Sequence, residues 1–268
     1  MGERGSWRTP RRLALVALGA ATVVFLVGPM LVVIPMSFTG AQILSWPPEG
    51  FSLQWYAKML DDPQWSRGFT NSLQVAVLTA ILATVLGTLA ALGIVRGRFP
   101  GKGAANALIL SPLIVPVIII AIGFFAFYSI TRLTGSLPGL VLTHTALAVP
   151  FVIINVGTVL RTMDRNLELA AASLGANPTR TFWRVTFPII LPGVFAGALF
   201  AFITSWDEVV VSIFMTSARF RTLPVEMWEQ VRQVVDPTVA AVATVVMVVT
   251  TTLLLFVFVV RRQAPAAR

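Results

Sequence analysis

Along the chain, runs free of Asp, Glu, Lys and Arg recur at lengths that a soluble core does not use. Six reach the length of a membrane span: Leu13–Met36, Phe69–Val95, Gly103–Thr131, Leu133–Leu160, Val185–Trp206 and Thr238–Val260. A helix needs about 20 mainly apolar residues to cross the hydrocarbon core of a bilayer. Arg132 alone separates the third run from the fourth, and Thr134-Gly135-Ser136-Leu137-Pro138-Gly139 has the composition of a turn, so these are two helices joined by a short loop. The pattern predicts an all-α integral membrane protein with six transmembrane helices. A tail over residues 1–12 and another over 261–268 flank a membrane domain over 13–260.

The first run follows Arg4, Arg8, Arg11 and Arg12, as the apolar stretch of a signal peptide would. It is longer than such a stretch, and no small-residue cleavage site follows it, so it is read as a retained first helix. Lys and Arg fix the expected orientation. With the N-terminus inside, fourteen of the 20 fall on inner segments: the four above, Arg96, Arg98, Lys102, Arg161, Arg165, Arg180, Arg184, Arg261, Arg262 and Arg268. Lys58, Arg67, Arg132, Arg219, Arg221 and Arg232 fall outside, balanced there by Glu49, Asp61, Asp62, Glu226, Glu229 and Asp236. Both termini are expected in the cytoplasm. Pro29, Pro35, Pro112, Pro116, Pro150, Pro188 and Pro192 predict local kinks, and Gly193 with Gly197 predicts a close helix contact.

Composition agrees with the pattern and removes chemistry. Of 268 residues 56% are hydrophobic and 12% charged, too few charges to cover a water-facing surface. There is no Cys and one His, which excludes thiolate catalysis, iron–sulfur clusters, Cys-based zinc sites and His-pair metal sites. The net charge of +9 lies on short segments between apolar runs, the arrangement of membrane topology rather than of nucleic-acid binding.

One inner loop, residues 161–188, is longer than a connector requires. Asp164 or Asn166 can cap a short helix rich in Ala and Leu, and Gly175 is placed to end it. Asn177 can cap a second helix with Pro178 at its first position. Ala170, Ala171 and Ala172 allow another surface to come close, while Leu167, Leu169 and Leu174 offer apolar knobs for a groove. An amphipathic helix resting on the membrane surface fits the same residues.

This segment resembles the cytoplasmic signature loop of the permease subunits of binding-protein-dependent ABC importers. The family pattern is Glu-Ala-Ala, three residues, Gly, nine residues, Ile, one residue, Leu-Pro. Here Leu169-Ala170-Ala171 is followed by Gly175, Val185 and Phe187-Pro188 at that spacing. Leu169 stands where the family has Glu, and Glu168 is displaced by one residue. The resemblance implies that Leu167, Glu168, Leu169, Ala170, Ala171, Ala172, Leu174, Gly175, Ala176 and Pro188 form a coupling helix and its flank, docked on an ATPase subunit. Gly97-Arg98-Phe99-Pro100-Gly101-Lys102-Gly103 is no phosphate-binding loop, because one residue is missing between its glycines and Gly103 replaces the hydroxyl. This chain is therefore expected to bind no cofactor, with ATP and Mg used by a partner.

Phe51-Ser52-Leu53-Gln54-Trp55-Tyr56, Asn71-Ser72-Leu73, Arg96 to Gly101 and Arg221-Thr222-Leu223-Pro224 are similar to landmarks of the spermidine/putrescine-type branch, and to its second permease. The branch implies a pore shared with a second, homologous permease, two ATP-binding subunits, an extracytoplasmic substrate-binding protein, and a multi-pass place in a bacterial inner membrane. It also includes importers of other small organic solutes and of metal ions.

Four residues are candidates for the substrate path. Asp207 and Glu208 close the fifth run and can attract amines, with Trp206 supplying a cation–π face. Pairing of the two acids with Arg219 or Arg221, or capping of a helix end, is the structural alternative. His144 lies inside the fourth run, where an ionisable group is a functional candidate and a neutral imidazole bonded to a neighbouring helix is the structural one. Aromatic residues in the outer segment Thr39–Gly68 are interfacial anchors or part of a landing surface for the binding protein, and Ser217–Pro237 is a second such surface. Two rival classes compete. A secondary transporter predicts midplane carboxylates and inverted repeats, which are not evident. A membrane-embedded hydrolase lacks a nucleophile–base set around His144 in sequence.

Overall fold

A computed structural model describes residues 10–233 and 236–263, with backbone alone at 10–12 and 256–263. Arg4, Arg8 and Arg268 lie outside the described residues. The helices in chain order are α1 (Pro10–Met36), α2 (Gln54–Asp61), α3 (Pro63–Arg96), α4 (Lys102–Leu110), α5 (Val117–Thr131), α6 (Leu137–Thr162), α7 (Asn166–Ser173), α8 (Pro178–Thr181), α9 (Phe187–Trp206), α10 (Val210–Met215), α11 (Leu223–Gln233) and α12 (Thr238–Gln263). Among the described residues, five helical stretches are each long and apolar enough to span a membrane: Leu13–Met36, Pro63–Arg96, Leu137–Thr162, Pro178–Trp206 and Thr238–Leu255.

The third expected span is not one straight helix. Its two halves, Lys102–Leu113 and Val117–Thr131, meet at 100°. Pro112 and Pro116 remove backbone donors at the break, and the Leu108 carbonyl that Pro112 leaves without its helical donor accepts instead from the Ser111 hydroxyl at 2.7 Å. Pro150 in α6 and Pro192 in α9 are absorbed inside continuous helices. Boundaries shift in three further places. The α3 helix begins six residues ahead of Phe69, α1 already includes residues 10–12, and Leu133–Ser136 is a turn before α6.

Two compact units are present. The smaller combines the chain up to Asp62 with Gln230–Val248. In it the turn after α1 is tied to α2: the Trp55 indole N–H donates to the Thr39 carbonyl at 2.7 Å, and the Ser37 and Tyr56 hydroxyls lie 2.6 Å apart. Lys58 pairs with Asp236. The apolar side chains of α1 are exposed, including Leu15, Val24 and Phe25, as a lipid-facing helix requires.

The larger unit covers Pro63–Glu229 and the chain from Val249. Its centre is a bundle of α3, α6 and α9, where Ala83, Ala91, Val152, Val156, Leu160 and Ile190 are fully buried. Small residues set the spacing. A Cβ on Gly87 would fall 2.6 Å from that of Val152, and one on Gly197 would fall 2.9 Å from the Cα of Val152. Gly193 packs as closely on Asn155 and Val156. Lipid gives no hydrophobic drive for helix association, so such contacts carry the packing. A second cluster joins Val75, Ala121, Tyr128, Leu140, Val211 and Met215.

Candidate functional site

The segment between α6 and α9 holds two short helices, each closed by its own sequence. The Asp164 carboxylate accepts from the Asn166 amide at 2.9 Å, which turns the chain into α7. At the far end Gly175 adopts φ +81°. Its amide donates to Ala172 at 2.9 Å, and that of Ala176 donates to Ala171 at 3.0 Å. This is a Schellman closure, which needs a residue without a Cβ penalty at the left-handed position. The Asn177 carbonyl oxygen then caps α8 by accepting from the Arg180 amide at 2.8 Å, with Pro178 in the first turn. A π-helical turn, Phe182–Thr186, feeds α8 into α9, so Pro188 lies in the first turn of that span.

The two faces of α7 differ. Leu167, Leu169 and Leu174 are 47%, 56% and 90% exposed, and Ala170, Ala172 and Gly175 are open beside them. Glu168 turns the other way. One carboxylate oxygen accepts from the Thr186 hydroxyl at 2.9 Å, and the other lies 3.4 Å from Nε of Arg96 at the end of α3. Ala171 and Ala176 are partly covered on this inner side. Gly101, the middle glycine of the 97–103 segment, sits at φ +80° immediately before α4.

Substrate-path candidates divide between two environments. His144 is 1% exposed, with Nδ1 2.8 Å from the Ser205 hydroxyl on α9 and Nε2 3.1 Å from that of Ser212 on α10. Glu208 stands 3.9 Å from Nε2 and accepts the amides of Val211 and Ser212 at 3.0 Å each, capping α10. The imidazole therefore ties three helices together. Ser205 and Ser212 went unnoticed in sequence, because hydroxyls 61 and 68 residues away carry no local signal. Although serine, histidine and glutamate meet here, Ser212 and His144 are sealed from solvent, and the carboxylate lies on the same side of the ring as that serine. Thr143 and Thr145 bond carbonyls of their own helix.

Trp206 is buried edge-on against Phe69 at 5.4 Å and stacked on Phe202 at 5.8 Å. Asp207 is exposed. Neither carboxylate takes the arginine partner considered from sequence in any contact seen here. Arg221 instead lies 3.7 Å from Glu226, whose carboxyl is pushed up by burial and drawn back by that guanidinium. A cavity of about 330 Å³ opens among Arg67, Asn71, Arg219, Arg221 and Glu226.

The chain is similar to known proteins in sequence and in fold. A family described as "Binding-protein-dependent transport system inner membrane component" matches residues 83–266. The chain is 32% identical to the putrescine transport system permease protein PotI of Escherichia coli, over 88% of this chain and 85% of that one. It is 30% identical to the spermidine/putrescine transport system permease protein PotC of Haemophilus influenzae, over 81% and 84%. Its fold matches a chain of a bacterial ABC transporter involved in the import of the acidic polysaccharide alginate, with a TM-score of 0.72, 16% identity, and coverage of 97% and 99%. The chain thus belongs to the binding-protein-dependent inner membrane components, the multi-pass permease subunits of ABC importers.

Proposed function

We propose that this permease forms half of a pore for polyamines and that α7 docks on a separate ATPase. The observation that carries the reading is α7 itself: a short helix with its leucines exposed, fixed at both ends by side-chain and backbone closures, and joined by the Gly175 bend to α8, which runs on into a span. An exposed Leu174 is unfavourable in water and favourable in a groove. Two ATP-binding subunits hydrolyse ATP with Mg, and their closure pushes the loop 161–188. The push switches the spans between inward-open and outward-open states, as differential contacts in two states require. A second, homologous permease completes the pore. An extracytoplasmic binding protein delivers solute from the side opposite to the basic loops, with both termini cytoplasmic.

The polyamine assignment is supported by relatives named for putrescine and spermidine over more than four-fifths of the chain. Asp207, exposed at the outer end of α9, is the carboxylate best placed to meet an arriving amine, whereas Glu208 is committed to α10. Uptake of labelled putrescine and spermidine into proteoliposomes holding both permeases, the ATPase pair and the binding protein tests it. Uptake requiring all components is the expected result. Binding-protein-stimulated ATP hydrolysis without polyamine uptake would transfer the importer to another organic solute or a metal ion. Solute uptake by this chain alone, driven by an ion gradient, would overturn the coupling role.

A further inference from the structure

We propose that Glu168 is a positioning residue that fastens the docking helix to the spans it moves, an inference that rests on α7 being the ATPase-docking helix. Adjacent residues on a helix point about 100° apart. Displacing the acid from 169 to 168 therefore carries it from the exposed face, where Leu169 now sits, to the inner one. There its two oxygens are divided between two different spans: Thr186 at the entrance to α9 and Arg96 at the end of α3. The side chains of Glu168 and Arg96 are only 21% and 24% exposed, so solvent screens the pair weakly.

Both attachment points are mechanically special. Thr186 ends the π-helical turn, a geometry with one extra residue per turn that recurs at functional positions. Arg96 ends α3, which is locked to α6 and α9 through Gly87, Val152 and Gly197. A displacement of α7 transmitted to these two residues thus reaches the packed bundle at two of its three helices. Nε and Nη2 of Arg96 are buried without a hydrogen bond. The guanidinium holds Glu168 by charge at 3.4 Å and keeps donors free for a tighter, forked grip when α7 moves. Arg96 and Glu168 form an adjustable joint, and Thr186 its fixed pin.

The test uses the assembled complex with its binding protein in proteoliposomes, comparing wild type, Glu168→Gln, Thr186→Val and the charge-exchanged double variant Arg96→Glu/Glu168→Arg. Glu168→Gln is expected to co-purify with the ATPase at the wild-type ratio. Stimulation of its ATP hydrolysis by loaded binding protein should fall about tenfold, the scale of one coupled charged pair. Thr186→Val should show a smaller loss, and the exchanged pair should recover at least half of the stimulation. Unchanged stimulation and uptake in Glu168→Gln would overturn the proposal. So would an exchanged pair no better than the single variant. Loss of ATPase from Glu168→Gln would place the carboxylate on the docking surface and overturn it equally. Failure of the wild-type chain to recruit an ATPase would instead remove the docking role of α7, and this inference with it.

Discussion

Replacing Gly175 isolates the bend that presents α7. At φ +81° a Cβ is strained, yet a Cβ built there meets no atom within 4 Å, so the penalty is purely conformational. A left-handed L-residue costs about 1–2 kcal/mol, more when β-branched, and Asn pays least. That corresponds to a roughly five- to thirtyfold drop in the population of the closed bend. The order of retained function should be Gly, Asn, Ala, Val. Hydrogen exchange at the amides of Gly175 and Ala176 reads the opening directly, since both donate into the closure. Binding-protein-stimulated ATPase activity should fall in the same order while the thermal unfolding of the spans stays constant. Equal losses for Gly175→Asn and Gly175→Val would refute the backbone argument, and wild-type exchange and uptake in Gly175→Val would remove the bend from coupling.

Further expectations come from the bundle and the outer side. Gly197→Val should lower the unfolding temperature by an amount equivalent to about 1–3 kcal/mol, because backbone at Val152 cannot retreat, whereas Gly19→Ala, with open space around it, should not. Ser212→Ala should cost about 1–3 kcal/mol in detergent unfolding by removing the hydroxyl that meets Nε2 of buried His144; no change would mean that the imidazole finds another partner. Glu226 has a carboxyl raised by burial, so its contribution is fully present below the ordinary glutamate range and is lost as pH rises through the elevated value. Glu226→Gln should therefore flatten the decline in stability over that window, and an unaltered pH profile would contradict the assignment. Asp207→Asn should weaken uptake of a polyamine more than that of a neutral solute, with equal effects pointing to a purely structural acid.

Much of this molecule is readable from its sequence because lipid simplifies the physics. Uncharged runs can only be spans, and local closures need local residues, so Asp164, Gly175 and Asn177 announce the helices of the loop in advance. Gly193 and Gly197 announce a close contact but not its partner, since Val156 and Val152 lie on another helix. The 100° break in the third span was hidden because Pro112 and Pro116 look no different from Pro150 and Pro192, which their helices accommodate. The local sequence does not distinguish a proline at which a span breaks from one that the neighbouring helices accommodate, because tertiary packing decides it. The inward turn of Glu168 and the serines around His144 were hidden for the same reason. A one-residue displacement reads as a small departure along the chain and as a change of face on a helix.

The most direct measurement is photo-crosslinking from Leu174, the most exposed of the α7 leucines. A benzophenone amino acid placed there, in the complex assembled with its ATPase, should crosslink to the ATPase subunit, with a yield that changes on adding ATP. Crosslinks to lipid alone, unaffected by nucleotide, would show that α7 rests on the membrane and contradict the coupling account.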